Sequence, residues 1–332
     1  MKNVYFQQKI QIFTTAAVGG ITEAEGKIGG CLDYVGNDDL FGAETWEIAE
    51  SRMVKKCAEI AFAKSKTAAS GVDFLIGGDL LNQCTASSFG VLPFQIPYLG
   101  LYGACSTFAE GLFIAASLLQ LPDLASGGVI ASSHFSTAER QYRFPLEYGA
   151  QRTPTAQRTV TGCGCALLQK RDQDTSMPLI TAGRIGIICD AGVKDANNMG
   201  AAMAPAAADT LCSFLKEAGE DACDYDMILT GDLGNVGAML FRELCAQSGI
   251  LLGAEYFDCG NEIYHTQQDV HAGASGCGCS AIYLCAALEK MWKTKPLHRV
   301  LFIGTGALLS PVTVQQKLSI PAIAHLIRIE KE

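Results

Sequence analysis

With 332 residues, 49% hydrophobic and 18% charged, the chain can bury a sizeable core in one large or two ordinary domains, and its composition excludes a disordered protein. Its net charge of −9, with no dense Lys/Arg cluster, excludes nucleic acid as an expected partner. The N-terminal residues lack the apolar core of a signal peptide, and no stretch approaches the roughly 18 apolar residues that span a bilayer, so a soluble chain from a reducing compartment is expected.

In chain order, residues 9–18 read as an apolar strand, followed by a Gly-rich polar loop to residue 39. Residues 44–66 carry Ile48, Met53, Cys57, Ile60 and Ala61 at helical intervals with charges outside, which predicts a surface helix. Residues 72–77 read as a strand running into Gly78-Asp79-Leu-Leu-Asn82. A short apolar stretch from Tyr98, bounded by Pro97 and Gly103, gives way at Ser106 to helical spacing through Leu112, Ala115, Ala116 and Leu119. Residues 128–133 form the next predicted strand, 134–159 a polar loop carrying Arg140, Arg143, Arg152 and Arg158, and 160–169 a closing strand. The second half repeats the order, with strands at 180–189, 226–230, 254–258, 299–304 and 319–329 and helices at 203–218, 236–248 and 275–292.

The repeat is visible in the residues themselves. Val72-Asp-Phe-Leu-Ile-Gly-Gly-Asp-Leu-Leu-Asn82 matches Tyr225-Asp-Met-Ile-Leu-Thr-Gly-Asp-Leu-Gly-Asn235, and Gly103-Ala-Cys105 matches Gly273-Ala-Ser275, each of the latter before a helix. Two matches in the same order predict two fused α/β halves, residues 1–175 and 176–332. Sites in such folds gather at the carboxyl ends of strands, where Asp79, Asn82, Cys105, Asp232, Asn235 and residues 304–306 are expected.

Cys105 stands at a predicted strand-to-helix junction. Unpaired backbone N–H groups and the helix dipole there would lower a thiol's pKa and attract anions, so a functional site is expected around it. The other cysteines, 14 in all, lie mostly in apolar runs and favour free buried thiols over disulfides. The Cys-Gly-Cys pairs at Cys163/Cys165 and Cys277/Cys279 lack metal-motif spacing and His partners, so neither a metal centre nor a cofactor is expected.

A duplicated α/β chain with a Cys opening the first half's third helix resembles the thiolase and ketoacyl-synthase superfamily over essentially its whole length. The resemblance implies an α/β, five-layered α-β-α-β-α sandwich of two βαβαβαββ halves, with the Cys as acyl-accepting nucleophile. Ser133-His-Phe135, Thr161-Gly-Cys-Gly-Cys-Ala-Leu-Leu168 and Gly304-Thr-Gly306 fall where members carry comparable turns and strands. The catalytic partners do not: the family's His falls at Gly231 or Asp232, and its second-half Asn near residues 271–275, at Gly273. An acyl-transferring Cys needs a base and oxyanion donors within reach, which leaves only His271 or His134 as an unconventional base. By analogy with the superfamily, a homodimer is expected.

Within that superfamily, the run 135–157, the strand and turn 71–83 and Tyr102-Gly-Ala-Cys-Ser-Thr107 are similar to the stage V sporulation protein AD family. That likeness implies a spore-forming bacterium and a non-enzymatic protein that binds dipicolinic acid (pyridine-2,6-dicarboxylate). It implies a role with the membrane-embedded SpoVA proteins, peripheral at the inner spore membrane, in moving dipicolinate, as its calcium chelate, into the forming spore. The implied alternative is a condensing or acyl-transfer enzyme using Cys105.

Candidate ligand contacts follow. One carboxylate of the flat dianion would sit at the helix start near Cys105 and Ser106, and Arg140, Arg143 or Arg152 would take the second bidentately. Ser133, Asn82 and His271 are further candidates, and His134 is either a ligand contact or a satisfied core His. Asp79 and Asp232 would repel a bare dianion. Each is expected to cap a helix or bond loop amides, or else to help hold the chelated cation.

Overall fold

A computed structural model describes residues 2–142, 152–171 and 177–331. The first half supplies strands β1 (Val4–Gly19), β2 (Phe74–Gly78), β3 (Tyr98–Gly100), β4 (Ser126–Ser133) and β5 (Gly162–Lys170). Its main helices are α1 (Trp46–Ser65), α2 (Thr85–Val91), α3 (Thr107–Leu118) and α4 (Phe135–Tyr142). The second half supplies β6 (Leu179–Arg184), β7 (Met227–Thr230), β8 (Tyr256–Asp258), β9 (Arg299–Ala307) and β10 (Ala322–Glu330). Its helices are α5 (Met199–Ala218), α6 (Gly234–Gln247) and α7 (Cys277–Ile282), the last continuing through a π turn at Tyr283–Leu288 into α8 (Glu289–Thr294).

The two halves build the same sheet. The first runs β3-β2-β4-β5-β1 and the second β8-β7-β9-β10-β6, so the strand order is repeated position for position. In each, the first three strands of that order are parallel and the fourth and fifth antiparallel to their neighbours. The edge strands β1 and β6 pair antiparallel and join the two sheets along one side.

Three apolar cores, the central one spanning both sides of the middle layer, hold five layers together. Met53, Cys57, Ala61 and Phe62 of α1 pack on Leu75, Ile130 and Leu167 from one face of the first sheet. The opposite face, through Ile76, Val129 and Leu168, meets Phe108, Leu112, Ala281 and Leu284 of the central helices, whose other side meets Leu229, Phe302 and Ile327 of the second sheet. Met203, Leu211 and Phe214 of α5 and Phe241 of α6 cover the outer face of that sheet. Helices on both faces explain why these strands read as continuous apolar runs, not alternating ones.

Most predicted elements are present, with shifted ends. The largest departure is at 134–159, read as a loop: residues 135–142 form a helix whose Thr137 and Ala138 are buried while Arg140 points outward. The segment 143–151, and with it Arg143, lies outside the described residues, as does 172–176, where the boundary between the halves was placed. No helix among the described residues is long and apolar enough to cross a membrane.

Candidate functional site

The chain leaves β3, turns at Gly103 and enters a single 3-10 turn, Ala104–Ser106, before α3. Ala104 holds a left-handed φ of +50°, a strained conformation for a residue with a Cβ, and this turn presents Cys105 toward the second half. Ser106 Oγ donates to Gly103 O (2.6 Å) and Thr107 Oγ1 to Ala104 O (2.7 Å), which tie the turn to the helix start. Strand β9 closes in from the other half. A Cβ on Gly306 would lie 2.7 Å from Gly103 O, and one on Gly304 2.4 Å from Ala109 Cβ. Only glycines fit at those two positions. Between them Thr305 reaches Asp232, accepting from its backbone N–H (3.0 Å) and donating to its Oδ1 (2.8 Å).

Asp232 lies beneath Cys105. Its Oδ2 accepts from Gly276 N–H (3.0 Å), and the Cys105 thiol is a further hydrogen-bond partner of its carboxyl. Burial raises the Asp232 pKa to about 6, against which these hydrogen bonds act. Cys105 is itself 7% exposed, and burial first, then the adjacent Asp232, push its pKa well above the usual thiol value. The expected lowering at a helix start does not occur. The helix proper begins two residues later, and lost hydration and a neighbouring carboxyl outweigh the dipole. At neutral pH Cys105 is a thiol, not a thiolate.

Above Cys105 opens a cleft of about 170 Å³ between the halves. The first half contributes Ala104, Cys105, Tyr142, Gln157 and Thr159, and the second Asn197, Met199, Ser275, Ala307 and Gln315. Ser275 matches Cys105 in the repeat, so the pseudo-symmetry brings both turns to one cleft. Gln157 was not singled out from the sequence. Its Nε2 donates to Asp232 O (2.7 Å) and Ala274 O (2.8 Å), which fixes the amide's orientation and leaves its buried Oε1 without a partner among the described residues. Among the described residues lining the cleft, Glu139 is the one that is charged, and Lys, Arg and His are absent.

The remaining sequence candidates are held elsewhere. Asp79 is fully buried and accepts from Leu81 N–H (2.8 Å), Ser87 N–H (2.7 Å) and Ser87 Oγ (2.7 Å), so it fixes the β2–α2 turn, as the capping expectation has it. Ser133 Oγ donates to Val160 O (2.7 Å) and accepts from Gly278 N–H (3.0 Å), stitching the halves. His134 hydrogen-bonds Asp39 O through Nε2 (2.7 Å) and accepts from Ser136 N–H at Nδ1 (3.1 Å); burial lowers its pKa. Arg140 pairs with Glu47 and stacks over Trp46, lining a separate outer depression with Asn82. Arg152 is half-buried and not among the residues that line the cleft. His271 sits beside Asp269 (3.6 Å) in another depression, as does Gly273. Gly273 has φ +109° and a Cβ there would lie 2.8 Å from Gly260 O, so any side chain at this position would be strained.

The cysteine pairs have a structural use. Cys277 Sγ donates to Ala104 O (2.9 Å) and Cys279 Sγ to Gly231 O (3.7 Å), fastening both halves' site turns to α7. The carbonyls of Cys163 and Cys165 accept from the thiols of Cys57 (3.3 Å) and Cys285 (3.5 Å). Among the described residues no group of three or more His, Cys, Asp or Glu is placed to hold a metal ion.

This geometry has known relatives. Residues 1–330 match the profile of the family described as stage V sporulation protein AD (SpoVAD). The chain is 37% identical over 326 residues to stage V sporulation protein AD of Bacillus subtilis, covering 98% of this chain and 96% of that one. The chain belongs to the stage V sporulation protein AD family. Solved structures share the fold at low identity. A variant of OleA from Xanthomonas campestris superposes with TM-score 0.63 at 14% identity, covering 98% of this chain and 99% of that one. A 3-oxoacyl-(acyl-carrier-protein) synthase III from Aquifex aeolicus gives TM-score 0.59 at 13% identity, covering 97% and 99%. The architecture is therefore thiolase-like, in the company of condensing enzymes, and the sequence family is a sporulation one.

Proposed function

We propose that this chain binds dipicolinic acid without turning it over, in the cleft above Cys105, and acts in dipicolinate uptake into the developing spore. The observation that carries the non-enzymatic half is the Cys105–Asp232 contact. A carboxyl lies against the thiol where the superfamily's His is expected, and Cys105 is held protonated. No imidazole among the residues lining the cleft is available as base.

The charge of the cleft favours the calcium chelate over the bare dianion. Glu139 and the buried Asp232 repel a dianion, and the cleft's described lining offers no guanidinium to offset that. A chelate with its cation is neutral overall. The unpartnered Gln157 Oε1, the Ser275 and Thr159 hydroxyls and the Glu139 carboxylate are the hard oxygen donors that suit calcium.

The partners we propose are the membrane-embedded SpoVA proteins, met from a peripheral position at the inner spore membrane, and a second copy of this chain. The self-association reading rests on β3, which ends the sheet without a further partner strand among the described residues and exposes Leu99, with Phe89, Leu92 and Tyr102 exposed nearby in sequence.

Calorimetry with dipicolinate, with and without calcium, tests the binding reading. Saturable heat that weakens in Cys105→Ala is expected, and its absence under both conditions would refute the proposal. Incubation with radiolabelled acyl-CoA tests the alternative suggested by the fold neighbours. A thioester on Cys105 would make the chain an acyl-transfer enzyme.

A further inference from the structure

A second cavity of about 170 Å³, sharing no described lining residue with the Cys105 cleft, lies where the π turn Tyr283–Leu288 and α8 meet β1. Ile12, Pro178 and Leu284 give it apolar walls, and Trp292, 5% exposed, faces it. Among the described residues the Trp292 Nε1 hydrogen has no acceptor. Leaving such a donor buried and unpaired is costly, so it calls for a partner that the described residues do not supply. Lys293 and Lys331 line the same cavity with Glu289, two ammonium groups to one carboxylate. Lys293 pairs with Glu289, and Lys331 Nζ donates to the Trp292 main-chain O (2.8 Å), which ties the second ammonium to the same residue. π turns inside α-helices recur at functional sites, and this one forms part of the wall.

We infer that this cavity is a second ligand site, for a small, mostly apolar monocarboxylate whose body fills the apolar walls and whose acceptor takes the Trp292 N–H. The volume fits such a body, since an apolar cavity of about 150 Å³ takes up benzene. Among the described residues, the single excess positive charge on its lining matches one carboxylate, whereas the cleft above Cys105 is lined by a carboxylate and no cation.

Trp46 and Trp292 are the two tryptophans, and neither lines the Cys105 cleft, so Trp46→Phe leaves Trp292 as a reporter of this cavity alone. Benzoate should change its emission saturably, and toluene, which has the ring without the acceptor, should bind at least about tenfold more weakly. Thr14→Phe, which narrows a half-buried wall, should abolish the response. Lys331→Gln should weaken benzoate several-fold and leave toluene unchanged. In calorimetry Trp292→Phe should lose about tenfold in benzoate affinity. No saturable response to benzoate up to about 10 mM, equal binding of toluene, or unchanged benzoate binding in Trp292→Phe would each overturn the site.

Discussion

Gly-Asp-Leu-Leu-Asn at Gly78–Asn82 and Gly-Asp-Leu-Gly-Asn at Gly231–Asn235 occupy the same place after the second strand of each sheet, yet their aspartates do different work. Asp79 is spent locally, on Leu81 and Ser87 of its own turn and helix. Asp232 turns away from its own helix toward Gly276, Thr305 and Cys105, and so lies where the two halves meet. The task Asp79 performs falls in the second half to Asp258, which accepts from Leu233 N–H and Gly234 N–H at 2.9 Å each. With the cap supplied from another strand, the repeated aspartate bonds across to the other turns, beneath the cleft. A duplicated motif keeps its position, and its chemistry follows from its neighbours.

The largest effect should come from the local aspartate. Asp79→Ala leaves two buried amides and a hydroxyl without their acceptor, and should lower unfolding free energy by about 2–4 kcal/mol in urea titration. A value within experimental error of zero would show that the turn finds other partners. Next to it, Glu50 accepts from Ser132 Oγ (2.9 Å) and Thr137 Oγ1 (2.8 Å), and burial, then Asp79, raise its pKa from 4.5 to about 8. A raised carboxyl pKa favours the folded state while protonated. Its contribution is therefore complete below about pH 4.5 and is lost as pH rises through about 8. Glu50→Gln should flatten the decline in stability across that window; parallel pH profiles for parent and variant would remove Glu50 as its source.

The spanning aspartate should report through the thiol instead. Asp232→Asn removes the charge beside Cys105, so alkylation of that cysteine by iodoacetamide at pH 8, read by peptide mass spectrometry, should quicken about tenfold for each unit of pKa relieved. Asp79→Asn should leave that rate alone, and equal acceleration in both variants would break the distinction. The smallest effect is expected from Arg140→Gln. Its partner is Glu47 on an exposed face, so stability should fall by no more than about 1 kcal/mol and dipicolinate affinity should stay within about twofold. A larger loss of affinity would place the Arg140 face in the ligand site after all.

Much of the architecture was legible from residue order alone. Apolar runs between turn residues located the strands, helical spacing located α1, α3, α5 and α6, and the repeated strings announced two equivalent halves, because these are short-range patterns of period and turn chemistry. Helix α4 escaped because its inward face is only Thr137, Ala138 and their neighbours, too few apolar positions to mark a period in a polar run. Which residues share the cleft was decided by packing. Ser275 is brought beside Cys105 by the docking of one half on the other, and Gln157 is held there by its bonds to Asp232 O and Ala274 O, while Asn82, Arg140 and His271 are carried to other surfaces. The protonation of Cys105 was also beyond the sequence. Its position before a helix argued for a thiolate, but burial against a carboxyl from the far half argues more strongly for the thiol, and dehydration exists only once the chain has folded.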